Sequence, residues 1–243
     1  YIFDRKGQVV EKIYRENRTV VPLSAMPELL PKAFVAAEDG RFYDHPGLDF
    51  FSVLRAAFIN IKRGGRAHGG STITQQVARS LLLTRENTFL RKFKEAILAW
   101  RIDSLLSKDE ILYIYLNQIY LGSGAHGVEA AAQVYFDKHV GELNLGEIAV
   151  LAGLPQAPSR YSPLRNLDLA IKRQRYVLNR MAAEGFVSSE KAKEAFERGL
   201  KVGDQQQSIS IDAGYYTAIV KKRAQRQLRI SLSTAGVKIH TNL

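Results

Sequence analysis

Ala36-Ala37-Glu38-Asp39-Gly40-Arg41-Phe42-Tyr43-Asp44-His45-Pro46-Gly47 gathers three acids, one arginine and one histidine within twelve residues. The apolar run Ala33-Phe34-Val35-Ala36-Ala37 leads straight into the acid pair Glu38-Asp39, and Gly40 and Pro46-Gly47 break the chain beyond it. A carboxylate at the end of an apolar helix is held in place and partly desolvated, which suits a general acid or base. Taken alone, a charged helix end followed by a solvated loop is the simpler account, since structural ion pairs cluster in the same way.

Working outward, the upstream side alternates weakly. Ile2-Phe3 and Val9-Val10 flank Asp4-Arg5-Lys6-Gly7, a hairpin turn pattern, and Pro22, Pro27 and Pro31 punctuate the approach to the first helix. Downstream, a segment starting at Leu48 and closing on Lys62 and Arg63 carries Phe50, Phe51, Val53, Leu54, Phe58, Ile59 and Ile61 and is apolar nearly all round. Such a helix is either buried or lies in a membrane interface with its basic end at the headgroups. A glycine-rich basic loop over 64–70 follows, and Ser71 is placed to cap a helix over 72–83. Thr72, Gln75, Gln76 and Arg79 share a polar face of that helix.

A long amphipathic helix spans 87–106, with Phe89, Phe93, Ile97 and Trp100 on one stripe. Off that stripe, Arg91 and Lys92 stand four and three residues before Glu95, so all three meet on one face. Two cations with a carboxylate suit a phosphate or pyrophosphate, with or without a metal; ordinary helix ion pairing gives the same spacing. Ser107 to Glu110 is a capping box opening a helix over 108–119, and Asn144 to Glu147 is another cap signal before an apolar helix over 148–154. The glycine-rich 122–127 segment reads as a loop without a preceding strand, which rules out dinucleotide binding. Pro155, Pro158 and Pro163 mark a loop; helices over 167–184, 188–198 and 213–228 complete a mainly α chain with slight β at both ends.

Composition bounds what this chain does. It has 243 residues, 46% hydrophobic and 24% charged, so it is globular rather than disordered. No uninterrupted apolar run is long enough to span a bilayer, and no signal peptide is expected. The chain starts at Tyr1, and residues 236–243 open a strand-like pattern that stops abruptly, so we expect it to be cut from a longer protein. With no cysteine, disulfides and Cys-ligated metals are excluded. His45, His68, His126, His139 and His240 lack ligand spacing, so no structural metal is expected. The net charge of +11 asks for an anionic partner. A basic nucleic-acid-binding module explains the charge but neither the glycine-rich loops nor the acid clusters, so no nucleic acid is expected.

These residues carry a resemblance. Glu38-Asp39-x-x-Phe42-x-x-His45-x-Gly47 resembles the first motif of the peptidoglycan glycosyltransferase domain of class A penicillin-binding proteins. Gly69-Gly70-Ser71-Thr72-Ile73-Thr74-Gln75-Gln76 resembles the second, and Arg91-Lys92-x-x-Glu95 the third. Ile111-Leu112-x-x-Tyr115-Leu116-Asn117 resembles the fourth, and Leu151-Ala152-Gly153-Leu154-Pro155-x-Ala157-Pro158-x-x-Tyr161-x-Pro163 the fifth. The five stand in family order. The chain departs from the usual pattern at Arg79-Ser80, where Lys-Asn is common, and at Asp103 and Tyr113, where acidic residues are usual.

The resemblance implies a mainly α, lysozyme-like fold with a large globular lobe and a small membrane-facing jaw over 48–66 and the loop after it. It implies one glycosyltransferase domain over 1–243, its core at about 21–185, with C-terminal helices and the start of a linker in 186–243. The substrates it implies are lipid II as acceptor and a growing lipid-linked glycan as donor, joined with inversion and release of undecaprenyl pyrophosphate. Glu38 would be the catalytic base and Glu95 a second catalytic carboxylate, orienting Lys92, holding a divalent metal or donating a proton. Ser71, Thr72, Gln75, Gln76, Arg79, Arg91 and Lys92 would bind donor sugar and phosphate; Asp39, Phe42 and His45 would contribute to the substrate site by framing the Glu38 loop. No cofactor is required by the residues, and Mg²⁺ or Mn²⁺ at Glu95 stays open. The expected location is the outer face of the bacterial cytoplasmic membrane, held there by an anchor before residue 1.

Overall fold

The computed structural model describes residues 2–7, 9–11, 17–51, 70–82, 88–203, 211–228 and 238–241. The chain clusters into two compact units. The smaller comprises Tyr1–Asn17 and Asp204–Leu243. In it, Ile2–Phe3 pairs antiparallel with Val9–Glu11, as the hairpin pattern predicts, and parallel with Ile239–His240 from the far end of the chain. Phe3 and His240 stack at 4.9 Å between ring centroids, and a helix over Ile211–Leu228 belongs to the same unit.

The larger unit, Arg18–Gly203, is mainly helical and contains the whole expected core. Helix α1 (Leu29–Glu38) buries Leu30, Ala33, Phe34, Val35 and Ala36. It stops because Asp39 leaves helical geometry, at φ −156° and ψ 69°. Helix α2 (Ile73–Leu81) is followed by α3 (Phe89–Leu105), α4 (Lys108–Gln118) and α5 (Val128–Phe136). Helix α6 (Leu145–Gly153) is apolar on every side and buried throughout Ile148–Gly153, as a helix without a polar face must be. Its Asn144 and Glu147 close the capping box that the sequence predicts. Helix α7 (Pro158–Tyr161) is a single turn, and α8 (Leu167–Ala183) and α9 (Ser189–Glu197) complete the unit. Helix α1 packs against α6 and α8, while α2 packs against α3 and α4.

Four local readings are corrected by the structure. The cap of α2 is Thr72, not Ser71: Thr72 and Gln75 exchange side-chain and backbone hydrogen bonds of 3.0 and 3.1 Å. The cap falls there because Thr72 is also pinned by its hydroxyl donating to the Gly47 carbonyl at 2.6 Å. The 122–127 glycine stretch is a tight hairpin between Tyr120–Gly122 and Ala125–His126. Ser123 and Gly124 both take positive φ, 49° and 77°, the geometry a two-residue turn needs to match strand twist. Residues 158–161 form a helical turn because Pro158, lacking an N–H, fits the first helical turn.

The fourth correction concerns α3. An amphipathic helix normally turns its apolar stripe inward. Here Phe93 is 63% and Trp100 55% exposed, while Glu95, Ala99 and Ile102 face the interior. The inward face must be narrow, because the turn at Gly47 comes so close that a Cβ there would lie 2.7 Å from the Ala99 carbonyl oxygen. Of the expected jaw, only Leu48–Phe51 is described, with Phe50 and Phe51 exposed; residues 52–69 lie outside the described residues.

Candidate active site

The loop after α1 is built as a frame. Asp39 is buried and accepts from His45 Nε2 at 3.0 and 3.1 Å and from the Ile73 backbone N–H at 3.0 Å. A carboxylate on the first N–H of a helix satisfies an orphan donor and complements the helix dipole. Asp39 thereby ties the end of α1 to the start of α2. Phe42 is fully buried and meets His45 edge-on at 6.3 Å. Lys108 spans the same loop, donating to the His45 carbonyl at 2.7 Å and lying 4.7 Å from the Phe42 ring centroid. Arg41 is paired with Asp49. Asp39, Arg41, Phe42 and His45 are all occupied in holding the turn.

Glu38 is thus aimed by a rigid neighbour. Its Oε2 accepts from Gln76 Nε2 at 3.0 Å, and its Oε1 lies 3.9 Å from the Arg173 guanidinium. The Tyr115 hydroxyl donates to Gln76 Oε1 at 3.4 Å, which fixes the amide with its NH₂ toward Glu38. Burial pushes the Tyr115 phenol well above its ordinary value, with the charges of Glu38 and Asp39 adding to it, so it remains a donor. Burial likewise raises the Glu38 carboxyl above its ordinary value, against the Gln76 hydrogen bond and the Arg173 charge; Asp39 pushes in the same direction as burial.

The second half sits between α2 and α3. Thr88 caps α3, accepting from the Arg91 N–H at 3.1 Å, and so sets the first turn that carries Arg91 and Lys92. Glu95, one turn on, is fully buried. Arg79 grips it with two hydrogen bonds, Nε at 3.1 Å and a terminal nitrogen at 3.2 Å. Lys92 donates to the same carboxylate, and Arg91 stands 3.6 Å away. Ser71, released from capping, accepts from Lys92 at 2.9 Å and from Arg79 at 3.4 Å. Burial alone would raise the Glu95 carboxyl, but the hydrogen bonds and charges of Arg79 and Lys92 outweigh it and hold the group below its ordinary value.

Three cations around one acid leave a net positive cluster, and the Arg79 and Lys92 side chains remain 46% and 44% exposed. Such a cluster suits a multiply charged anion. Both Glu95 oxygens are engaged by cationic donors, and among the described residues no group of three or more His, Cys, Asp or Glu stands together.

Helix α2 joins the two halves. Gln76 reaches Glu38 and Arg79, three residues on, reaches Glu95. Of the residues singled out in the sequence, Glu38 and Gln76 meet in one half, and Ser71, Arg79, Arg91, Lys92 and Glu95 in the other. Thr72 and Gln75 are buried and used by the helix cap. Arg173 and Tyr115 were missed as site residues. Arg173 sits in the run Lys172-Arg173-Gln174-Arg175, which resembles a solvated face. The signal that finds it is its place three residues after Ala170 and four before Val177, both buried.

The family described as Transglycosylase matches residues 6–182. The chain belongs to this transglycosylase family, and its fold is mainly helical. Its particular likeness is to penicillin-binding protein 1A: 43% identity over 242 residues to that of Aquifex aeolicus, covering all of this chain and 33% of the relative. Identity to the Rickettsia conorii protein of the same name is 42% over 247 residues, and to that of Escherichia coli 41% over 242, covering 31% and 28% of those relatives. The crystal structure of Haemophilus influenzae penicillin-binding protein 1A superposes with a TM-score of 0.62 at 26% identity, over 99% of this chain and 26% of that one. The chain thus spans about a third of the length of its curated relatives.

Proposed function

We propose that this domain transfers a growing lipid-linked glycan to the 4-hydroxyl of lipid II, with inversion at the anomeric carbon. The acceptor oxygen attacks that carbon, its proton passes to Glu38, and the bond to undecaprenyl pyrophosphate breaks. A carboxyl at its ordinary value of about 4.3 is a weak base toward an alcohol, so transfer must accompany bond formation, and a raised value improves the match. The pyrophosphate leaves into the cluster of Arg79, Arg91 and Lys92. Fixed positive charge where negative charge develops is commonly the largest catalytic contribution, about 2.7–4 kcal/mol for one donor.

Glu95 acts as the orienter of Lys92 and Arg79. An acid held below its ordinary value keeps no proton to donate at neutral pH. Asp39, Phe42 and His45 serve the substrate site through the loop they brace. The observation that carries this reading is the bridge of α2, whose Gln76 bonds a carboxylate held above its ordinary value and whose Arg79 belongs to the cationic cluster. The domain works at the outer face of the cytoplasmic membrane. No helix among the described residues is long and apolar enough to cross it, and the exposed Phe50 and Phe51 begin the contact surface expected over 48–63. Incubation with lipid II tests the reaction: polymer that Glu38→Gln abolishes supports it, and cleavage of finished strands without polymerisation contradicts it.

A further inference from the structure

The fifth motif, 151–163, supplies no group to the chemistry above, yet it builds a seat. Arg173 Nε donates to the Gly153 carbonyl at 3.2 Å. Its guanidinium lies 5.6 Å from the Tyr161 ring centroid and 4.4 Å from that of Tyr176. A Cβ at Gly153 would stand 2.7 Å from Arg173 Cγ, so the arginine stem runs through space that only glycine leaves open. The side chain is 11% exposed and ends 3.9 Å from Glu38 Oε1.

That distance is what makes the seat informative. It lies within ion-pair range but too long for a hydrogen bond. The Nε–carbonyl bond and the two rings hold the guanidinium back, so its charge acts on Glu38 while no hydrogen bond from the described residues takes the Oε1 lone pairs. Oε2, by contrast, is engaged by Gln76.

We propose that Arg173 is a positioning residue for Glu38, seated by Gly153 and Tyr161 so that it favours the carboxylate while leaving Oε1 free to take the acceptor proton. The inference rests on the reading of Glu38 as base. Among the described residues, the other groups facing Glu38 are Asp39 beside it, Gln76 from α2 and Tyr115 from α4. Of the other arginines of α8, Arg175 stacks over the Phe196 ring at 4.2 Å and Arg180 is occupied by the Ala36 carbonyl and Glu184.

The test is the pH dependence of polymerisation by the intact protein on lipid II, with kcat and KM separated. Arg173→Met should move the acidic limb of kcat/KM to higher pH by about one pH unit, as expected for losing an opposite charge at this range, with KM changed less than about twofold. Arg173→Lys should restore much of the limb. Gly153→Ala should reproduce the shift without touching a charge, and serves where Arg173→Met does not fold. An unmoved limb with a raised KM would make Arg173 a substrate contact, and an unmoved limb with unchanged KM would make it structural; either overturns the proposal while leaving the base assignment intact. Retained turnover in Glu38→Gln would instead overturn the base assignment and this inference with it.

Discussion

Glu38 and Glu95 are both glutamates withdrawn from bulk water beside the same helix, α2, yet their surroundings drive them apart. Glu38 has one amide donor and one arginine held at ion-pair distance, and burial wins: its carboxyl is raised. Glu95 is also closed off from solvent, but two cations bond to it directly and a third stands close, and its carboxyl is lowered. Burial alone therefore does not set the role of an acid; what decides is how many donors accompany it inward. A pair of carboxylates with values pushed apart divides naturally into a group that takes a proton and a group that stays charged to hold its neighbours.

The sharpest break of this comparison is in turnover. Glu38→Gln should lower kcat for glycan polymerisation by about 10²- to 10⁴-fold, the range of a lost general base. Lys92→Ala should cost about 10²- to 10³-fold in kcat/KM, since it removes one donor from the leaving pyrophosphate. A Lys92→Ala protein with full rate would remove the cluster from the chemistry.

Stability separates the two acids by sign. Glu95, with its folded value lowered, contributes stability that is present above the unfolded value of about 4.3 and is lost as pH falls through the lower folded value. Glu95→Gln should therefore destabilise at neutral pH, on the order of 1–3 kcal/mol, seen in urea unfolding. Glu38, with its folded value raised, is most favourable below the unfolded value, and that advantage disappears as pH rises through the folded one. At neutral pH its charge is a cost, and Glu38→Gln should raise the urea midpoint. Smaller still, Thr72→Ala should cost about 0.5–2 kcal/mol through the α2 cap, while Ser71→Ala, which removes only a hydroxyl shared by Lys92 and Arg79, should cost about 0.5–1.5 kcal/mol in transition-state binding.

How far the sequence reveals this comparison follows from the range of the forces. Arg91, Lys92 and Glu95 were legible because helical spacing is local, and the cap signals at Ser107 and Asn144 because caps are local too. The Thr72 cap was displaced by one residue because its hydroxyl bonds to Gly47, twenty-five residues away, which no local rule contains. The outward turn of Phe93 and Trp100 has the same origin, since α3 is oriented by the Gly47 turn and by Arg79, both from outside the helix. Arg173 was hidden because its partners, Glu38 and Gly153, lie far along the chain, and its own neighbours are basic and polar.

The central claim is that one helix holds two acids with oppositely displaced affinities for protons. It is tested most directly by following the side-chain carboxyl carbons of ¹³C-labelled glutamate through a pH titration of the folded protein, with Glu38→Gln and Glu95→Gln assigning the two signals. The account predicts a midpoint above the ordinary glutamate value for Glu38 and below it for Glu95. Midpoints that coincide, or that fall in the opposite order, would contradict it.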